Sequence, residues 1–304
     1  MRLRSLLFVP GDRPERFGKA AGTGADAIIL DLEDSVVAAR KAEARAAVRA
    51  YLVDRHPHPS GASHLPPSPT GRGKGAAAGG GKGEGDPRRV FVRINPLDSA
   101  FLDDDLAALA GTRPDGIVLP KAEGAADVER LAARLPFPIL PVATETPAAI
   151  FQLGSYARAS AHLAGLTWGA EDLPAAIGAS TSREADGSYT GPYALARNLT
   201  LFGAHAAGVP AIETVFPDFR DLDGLAAYAA RGRRDGFTGM MAIHPSQVAV
   251  INAAFTPSDE ELAQARAVVA LFAANPGAGA LQLDGKMVDA PHLKAAQRLL
   301  SVVD

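Results

Sequence analysis

The sequence contains no cysteine, which excludes disulfides, thiolate nucleophiles and Cys-ligated zinc or iron–sulfur centres. It has no apolar run of about 18 residues, the length a membrane-crossing helix needs. It carries little excess charge, with 31 Lys and Arg against 34 Asp and Glu. Nucleic acid is therefore a poor fit as the main partner, because phosphate binding needs a concentrated basic surface. No Gly-x-Gly-x-x-Gly opens the first helix, which counts against a dinucleotide fold. The start sets basic residues before an apolar run, as a secretory signal does. The run is short and ends in Pro10-Gly11-Asp12-Arg13, so it reads as a first strand instead. These absences fit a reducing, cytoplasmic setting and no membrane partner. At 47 % hydrophobic and 21 % charged residues, the 304-residue chain can bury a sizeable core.

One stretch stands apart. Residues 56–87 hold 18 Gly, Pro or Ser among 32 positions, and Leu65 is their one large aliphatic side chain. Such a composition cannot bury enough surface to offset its ordering entropy, so it reads as a flexible insertion. His56, His58 and His64 lie within it, and a tolerated insertion is favoured over a metal tract. The remainder is close to the roughly 250 residues of one (β/α)8 barrel.

That remainder repeats a short apolar run, a polar turn and an Ala-rich amphipathic stretch. Eight strands are expected, at 5–9, 27–32, 90–94, 116–120, 139–143, 162–168, 210–216 and 240–243. Helical stretches are expected at 35–53, 101–110, 125–135 and 146–157. Several strands run apolar without alternation, as strands covered on both faces do. The expected fold is an α/β (β/α)8 TIM barrel over residues 1–275 with a C-terminal helical extension over 276–304, the open doubly wound sheet being the alternative. The insertion follows a helix and precedes a strand, which places it at the barrel face away from the active site. A second long connection, 173–208, follows strand six and is expected to cover the productive face.

In such a barrel, polar residues just past each strand converge on one mouth. Those ends supply Asp31, Glu33 and Asp34, Arg93, Lys121, Glu145, Asp172 and His244. Glu145 and Asp172 are 27 residues apart, one strand–helix repeat, and so belong at neighbouring strand ends. Two adjacent carboxylates without His or Cys make a hard oxygen site suited to Mg²⁺, with Mn²⁺ as a substitute. Each acid also has a plainer reading, Glu145 facing a helix dipole and Asp172 as a helix cap. Arg93 ends an otherwise apolar strand. It can bind a carboxylate, stabilise an enolate oxygen, or pair structurally with Asp31, Glu33 and Asp34, which then order the site from behind. Arg13, Arg16 and Lys19 put positive charge on the first turn and helix, as a phosphorylated substrate or simply a solvated face requires.

Eight motifs occur in register. They are Ser-Leu-Leu-Phe-Val-Pro-Gly (5–11), Leu-Asp-Leu-Glu-Asp-Ser-Val (30–36), Val-Arg-Ile-Asn (92–95) and Leu-Pro-Lys (119–121), followed by Glu-Thr-Pro (145–147), Trp-Gly-Ala-Glu-Asp-Leu (168–173), Ala-Ile-His-Pro-Ser-Gln-Val (242–248) and Asp-Gly-Lys-Met-Val-Asp-Ala-Pro (284–291). Together they resemble the citrate lyase β-subunit-like family, which includes malyl-CoA and citramalyl-CoA lyases. The resemblance covers nearly all of the chain outside 56–87. It implies a Mg²⁺-dependent carbon–carbon lyase that cleaves or forms a 3-hydroxyacyl-CoA, releasing an acyl-CoA and a 2-oxo acid. It also implies Glu145 and Asp172 as metal ligands, and Arg93 as the enolate stabiliser. Backbone at Gly169 and Ala170 would hold the substrate carboxylate. Phe8, Arg13, Arg16, Lys19, Ile243 and His244 would contact CoA. Asp289 would act as acid/base in a neighbouring subunit's site, within a homotrimer or hexamer. A malyl-CoA thioesterase and a citrate lyase β subunit fed by an acyl carrier protein are the alternatives. Glu213 and Phe216 stand where relatives more often carry Asp and Tyr, which bears on the substrate pocket.

Overall fold

The computed structural model describes residues 3–55 and 89–301. The insertion at 56–87, with its three histidines, lies outside the described residues. Eight parallel strands form the barrel: β1 (Ser5–Pro10), β2 (Ala27–Asp31), β3 (Arg89–Arg93), β4 (Gly116–Leu119), β5 (Ile139–Pro141), β6 (Leu166–Thr167), β7 (Ala211–Glu213) and β8 (Gly239–Ala242). They are ordered β5-β4-β3-β2-β1-β8-β7-β6. The ring closes between the two ends of that order, where the Ala164 amide donates to the Ile139 carbonyl at 2.7 Å and that of Ala143 to Thr167 at 2.9 Å. The expected barrel is therefore the observed one.

The side-chain period of two sorts each strand into two cores. Leu6, Ile29, Phe91, Val118, Leu140, Ile212 and Met241 fill the barrel interior. Their neighbours Leu7, Ile28, Leu30, Val90, Val92, Ile117 and Met240 pack outward against the helices. Burial on both faces explains why these strands read as unbroken apolar runs. Each such side chain contributes roughly 1.5–3 kcal/mol by leaving water.

The outer layer holds α1 (Phe17–Ala21), α2 (Lys41–Arg55), α3 (Leu102–Leu109), α4 (Ala125–Ala132), α5 (Pro147–Ile150), α6 (Asp172–Ile177), α7 (Gly191–Ala207), α8 (Leu222–Asp235) and α9 (Pro245–Ala254). Two helical expectations change. The stretch at 35–53 opens with a 3₁₀ turn, Ala38–Arg40, and becomes α-helical only at Lys41. The stretch at 146–157 breaks into α5 and a 3₁₀ segment, Leu153–His162. Strands six and seven are also shorter than expected. The connection 173–208 is not a free cover, since α7 occupies its second half and packs on the barrel through Tyr193, Ala196 and Leu201. Its first half holds a small turn around Arg183 and Tyr189, joined by a single antiparallel bridge, with Tyr189 edge-on to Trp168 at 5.0 Å.

The C-terminal extension is not purely helical. After α10 (Asp259–Ala274) come β9 (Ala280–Leu283) and β10 (Lys286–Asp289), then α11 (Ala290–Leu300). The hairpin turns at Asp284 and Gly285, both at positive φ, +50° and +77°. Asp-Gly is the sequence that such two-residue turns demand, so the hairpin was legible. Ala265, Val268, Val288 and Ala296 form a separate small core, which joins α10 to the extension.

Candidate active site at the barrel mouth

A cleft of about 440 Å³ opens at the carboxyl ends of the strands. Its wall includes Phe8, Asp31, Arg93, Glu145, Asp172 and Ile243, contributed by the ends of β1, β2, β3, β5, β6 and β8. Gly169, Ala170 and Trp168 line it as well. The two acids expected to lie side by side do share this cleft with Arg93.

Strand parity aims Arg93. Phe91 faces the barrel interior, so Arg93, two residues on, points the same way and emerges into the mouth. Its guanidinium grips Asp31 with both prongs, Nε to Oδ1 and Nη2 to Oδ2, each at 2.7 Å. Nη1 lies 2.8 Å from Glu33 Oε2 and 3.4 Å from Asp34 Oδ2. The ring of Phe8 packs against it, 4.9 Å from ring centroid to guanidinium. Arg93 thus pairs with all three acids while still lining the cleft. Burial alone would raise the Asp31 carboxyl, but Arg93, Ser35 and the Glu33 amide outweigh it and hold Asp31 below its ordinary value. Glu33 goes the other way: burial pushes it up to about 7 against the pull of Arg93 and Lys121.

The loop carrying these acids is strapped from below. Lys41 Nζ donates to the carbonyls of Leu32 and Glu33 at 2.7 and 3.0 Å. Asn95 Nδ2 donates to Leu32 as well, at 3.0 Å. Lys41 was missed by the sequence reading, because a lysine opening a helix carries no mark that its side chain turns inward.

Glu145 is buried and Asp172 partly exposed. The cap reading of Asp172 is corrected, since Glu171 precedes α6 and Asp172 stands in its first turn. Glu145 lies one residue before Thr146, which caps α5 by accepting from the Ala149 amide. Burial, with the charges of Asp172 and Glu33, pushes the Glu145 carboxyl up to about 8, although the Lys121 amide donates to its Oε2 at 2.6 Å. Gly169 makes room for this acid: a Cβ there would lie 2.8 Å from Glu145 Cγ and 3.1 Å from Oε1. The Gly169 amide donates to Thr144 Oγ1, which donates back to the Gly169 carbonyl. That amide is engaged within the loop, and Gly169 and Ala170 both line the cleft.

Lys121 stands between the acids, with Nζ 2.8 Å from Glu33 Oε1 and 3.4 Å from Asp172 Oδ1. It was visible at the end of strand four in Leu-Pro-Lys, yet was assigned no role. Among the described residues, no three His, Cys, Asp or Glu side chains converge as metal donors. The donor set is two carboxylates, and no His or Cys lines the cleft. That suits Mg²⁺, which takes one or two carboxylates and keeps waters, and does not suit zinc.

The remaining expected residues are scattered. Arg13 and Arg16 sit on the turn after β1, 3.8 Å from Asp12 and 3.9 Å from Glu15, and neither they nor Lys19 lines the cleft. His244 caps α9 and stacks on Phe219 at 4.7 Å. Asp289 caps α11 and pairs with His292, outside the cleft of its own chain. Glu213 faces outward and is fully buried, with Phe216 packed near it on Tyr228. Neither lines the cleft, although Thr214 and Val215 between them do.

A TIM barrel with an acid pair and one fixed guanidinium at its mouth has the groups to hold a divalent ion and to face an enolate's charge. Residues 4–60 and 84–245 match the HpcH/HpaI aldolase/citrate lyase family, and residues 189–303 match a C–C bond lyase family of the TIM-barrel fold. The chain belongs to the HpcH/HpaI aldolase/citrate lyase family. The gap in the match, 61–83, falls inside the expected insertion. A citrate lyase subunit beta-like protein of Mycobacterium tuberculosis is 39 % identical over 294 residues, 97 % of this chain and 93 % of that one. A (3S)-malyl-CoA thioesterase of Cereibacter sphaeroides is 32 % identical over 301 residues, 98 % of this chain and 93 % of that one. The crystal structure of protein CitE from M. tuberculosis with magnesium, acetoacetate and coenzyme A superposes with a TM-score of 0.78. It is 37 % identical, covering 99 % of this chain and 98 % of that one. Among the described residues, no helix is long and apolar enough to cross a membrane.

Proposed function

We propose that this chain is a Mg²⁺-dependent lyase that cleaves, or in reverse forms, a 3-hydroxyacyl-CoA such as malyl-CoA or citramalyl-CoA. The observation that carries the reading is the sharing of one cleft by Glu145, Asp172 and Arg93. Glu145 and Asp172 would hold the ion, which supplies a Lewis acid and a template for the 2-oxo or 2-hydroxy acid. In the cleavage direction the carbon–carbon bond beside the hydroxyl breaks. A carboxylate takes the hydroxyl proton as the hydroxyl becomes the carbonyl of the released acid, and the electron pair of the broken bond passes to the thioester enolate. Arg93, fixed by Asp31 and Glu33, presents positive charge to that enolate without having to reorient. A carboxylate then returns a proton to the enolate carbon. Asp289 of a neighbouring subunit is the proposed donor, which makes residues 276–304 part of an inter-subunit site. The CoA contacts proposed from the resemblance are Phe8 and Ile243, which line the cleft, and Arg13, Arg16, Lys19 and His244 around it.

The test is product analysis with malyl-CoA and citramalyl-CoA, in Mg²⁺ and in EDTA. Acetyl-CoA with glyoxylate or pyruvate, abolished by EDTA, is the expected result, and full activity in the chelator removes the metal assignment. Free CoA without acetyl-CoA marks hydrolysis, the second reading, favoured by the malyl-CoA thioesterase relative. Activity only on a carrier-bound thioester would make the chain a subunit fed by an acyl carrier protein. Mixing Glu145→Gln with Asp289→Asn subunits tests the shared site: recovery of activity from two inactive variants is expected, and no recovery confines Asp289 to its own chain.

A further inference from the structure

Lys121 is unusual twice over. It is one of two non-glycine residues with positive φ among the described residues, at +51°. That conformation costs roughly 1–2 kcal/mol for an L-residue and persists where its surroundings impose it. The twist turns the Lys121 amide onto Glu145 Oε2 at 2.6 Å while the side chain spans Glu33 and Asp172. Lys121 does not line the cleft. Glu33 in turn meets Arg93. Asp31, Arg93, Glu33, Lys121 and Asp172 therefore form one chain of alternating charge across the mouth, from the end of β2 to the start of α6.

We propose that Lys121 is a positioning residue that holds both acids of the metal site at a fixed separation from Arg93, Glu145 through its amide and Asp172 through its ammonium. Two carboxylates at neighbouring strand ends repel each other. Asp172, partly exposed at the start of a six-residue helix, needs an anchor to stay beside Glu145. A compact ammonium with three donors can serve Glu33 and Asp172 together. Its ammonium meets two carboxylates and lines no part of the cleft, so its place is that of a tether. The inference rests on the metal reading above.

The test is Mn²⁺ binding to the full chain, followed by electron paramagnetic resonance, in wild type and Lys121→Gly. Glycine retains the amide and accepts the positive φ, so this variant deletes only the side chain and its ammonium. Deleting a cation beside a metal tightens metal binding if charge is all it contributes, so weakening is the signature of positioning. The expected result is Mn²⁺ affinity lower by about 10–100-fold, the usual effect of removing a group that orients a ligand. A fall in kcat with little change in KM for the thioester accompanies it, and Lys121→Arg recovers part of both. Lys121→Asn, which also tolerates positive φ, gives the same outcome should the glycine variant fold poorly. Affinity within twofold of wild type, or tighter, in the variants overturns the role of Lys121 and leaves the metal reading intact. Failure of the wild type itself to bind Mn²⁺ overturns the metal reading, and this inference falls with it.

Discussion

Arg93 and Arg197 both sit among acids in this barrel, and of the two only Arg93 faces the cleft. Arg93 holds Asp31 and Glu33 at the mouth. Arg197 of α7 holds Glu213 at 2.7 Å and Asp235 at 2.8 Å in the layer between barrel and helices. Each pairs its arginine with a buried acid, Asp31 or Glu213, and with a more exposed one, Asp34 or Asp235. The second is closed around Glu213. Trp168 Nε1 donates to Glu213 Oε1 at 2.5 Å, Tyr228 adds its hydroxyl at 2.9 Å, and Phe237 packs against the guanidinium. Strand parity makes the difference. Ile212 points into the barrel, so Glu213 must point out, whereas Arg93 shares the inward parity of Phe91. The same charges stabilise a wall in one place and shape a site in the other.

That contrast can be broken by substitution. Arg197→Met leaves Glu213 buried and unpaired, which costs about 3–5 kcal/mol of stability. Turnover per folded molecule should stay within a few-fold of wild type. Urea melts and active-site-normalised kcat check it, and a large loss of kcat at unchanged stability would merge the two clusters into one function. Arg93→Lys is the mirror experiment. It keeps the charge but loses the two-pronged grip on Asp31, and kcat should fall by roughly 10²–10³-fold with a smaller change in stability. Near-normal kcat in that variant would reduce Arg93 to a structural partner like Arg197.

Gly169→Ala probes the crowding around Glu145. A methyl 2.8 Å from Glu145 Cγ must push that side chain aside. The Mg²⁺ concentration for half-maximal activity should rise by about tenfold or more, within the range for disturbed ligand orientation. An unchanged Mg²⁺ requirement would show that the acid can move without consequence.

The smallest effect is on pH dependence. Glu145 and Glu33 have folded-state values raised from the ordinary 4.5 to about 8 and about 7. Between about pH 4.5 and 8 the folded protein holds protons that the unfolded chain has released, so metal-free stability falls as pH rises through that window. Tm measured in chelator from about pH 5 to 9 should decline, and the upper part of the decline should be lost in Glu145→Gln. Mg²⁺ should stabilise more at the alkaline end, because the ion competes with the Glu145 proton. A flat Tm profile in chelator would contradict the burial of both acids.

Most of the barrel was legible because apolar runs alternating with Ala-rich amphipathic stretches leave few architectures that bury both. The acids at 145 and 172 were legible because one strand–helix repeat fixes their neighbourhood. The broken helix at 146–157 was not. Its apolar spacing is satisfied by the 3₁₀ segment too, where Leu153, Tyr156 and Ala159 turn inward three residues apart. Lys41 and Lys121 escaped for a different reason. A lysine in the sequence looks solvated until its partners, some of them tens of residues away, are folded around it.

By itself, the sequence determined that eight strands and their helices would form, and which acids would stand at the strand ends, since both follow from local periodicity and repeat length. Which side of each strand faces the lumen was decided only by closure of the ring. Strands apolar on both faces carry no label for inside and outside, so the roles of Arg93 and Glu213 became distinct only once the barrel had closed between β5 and β6.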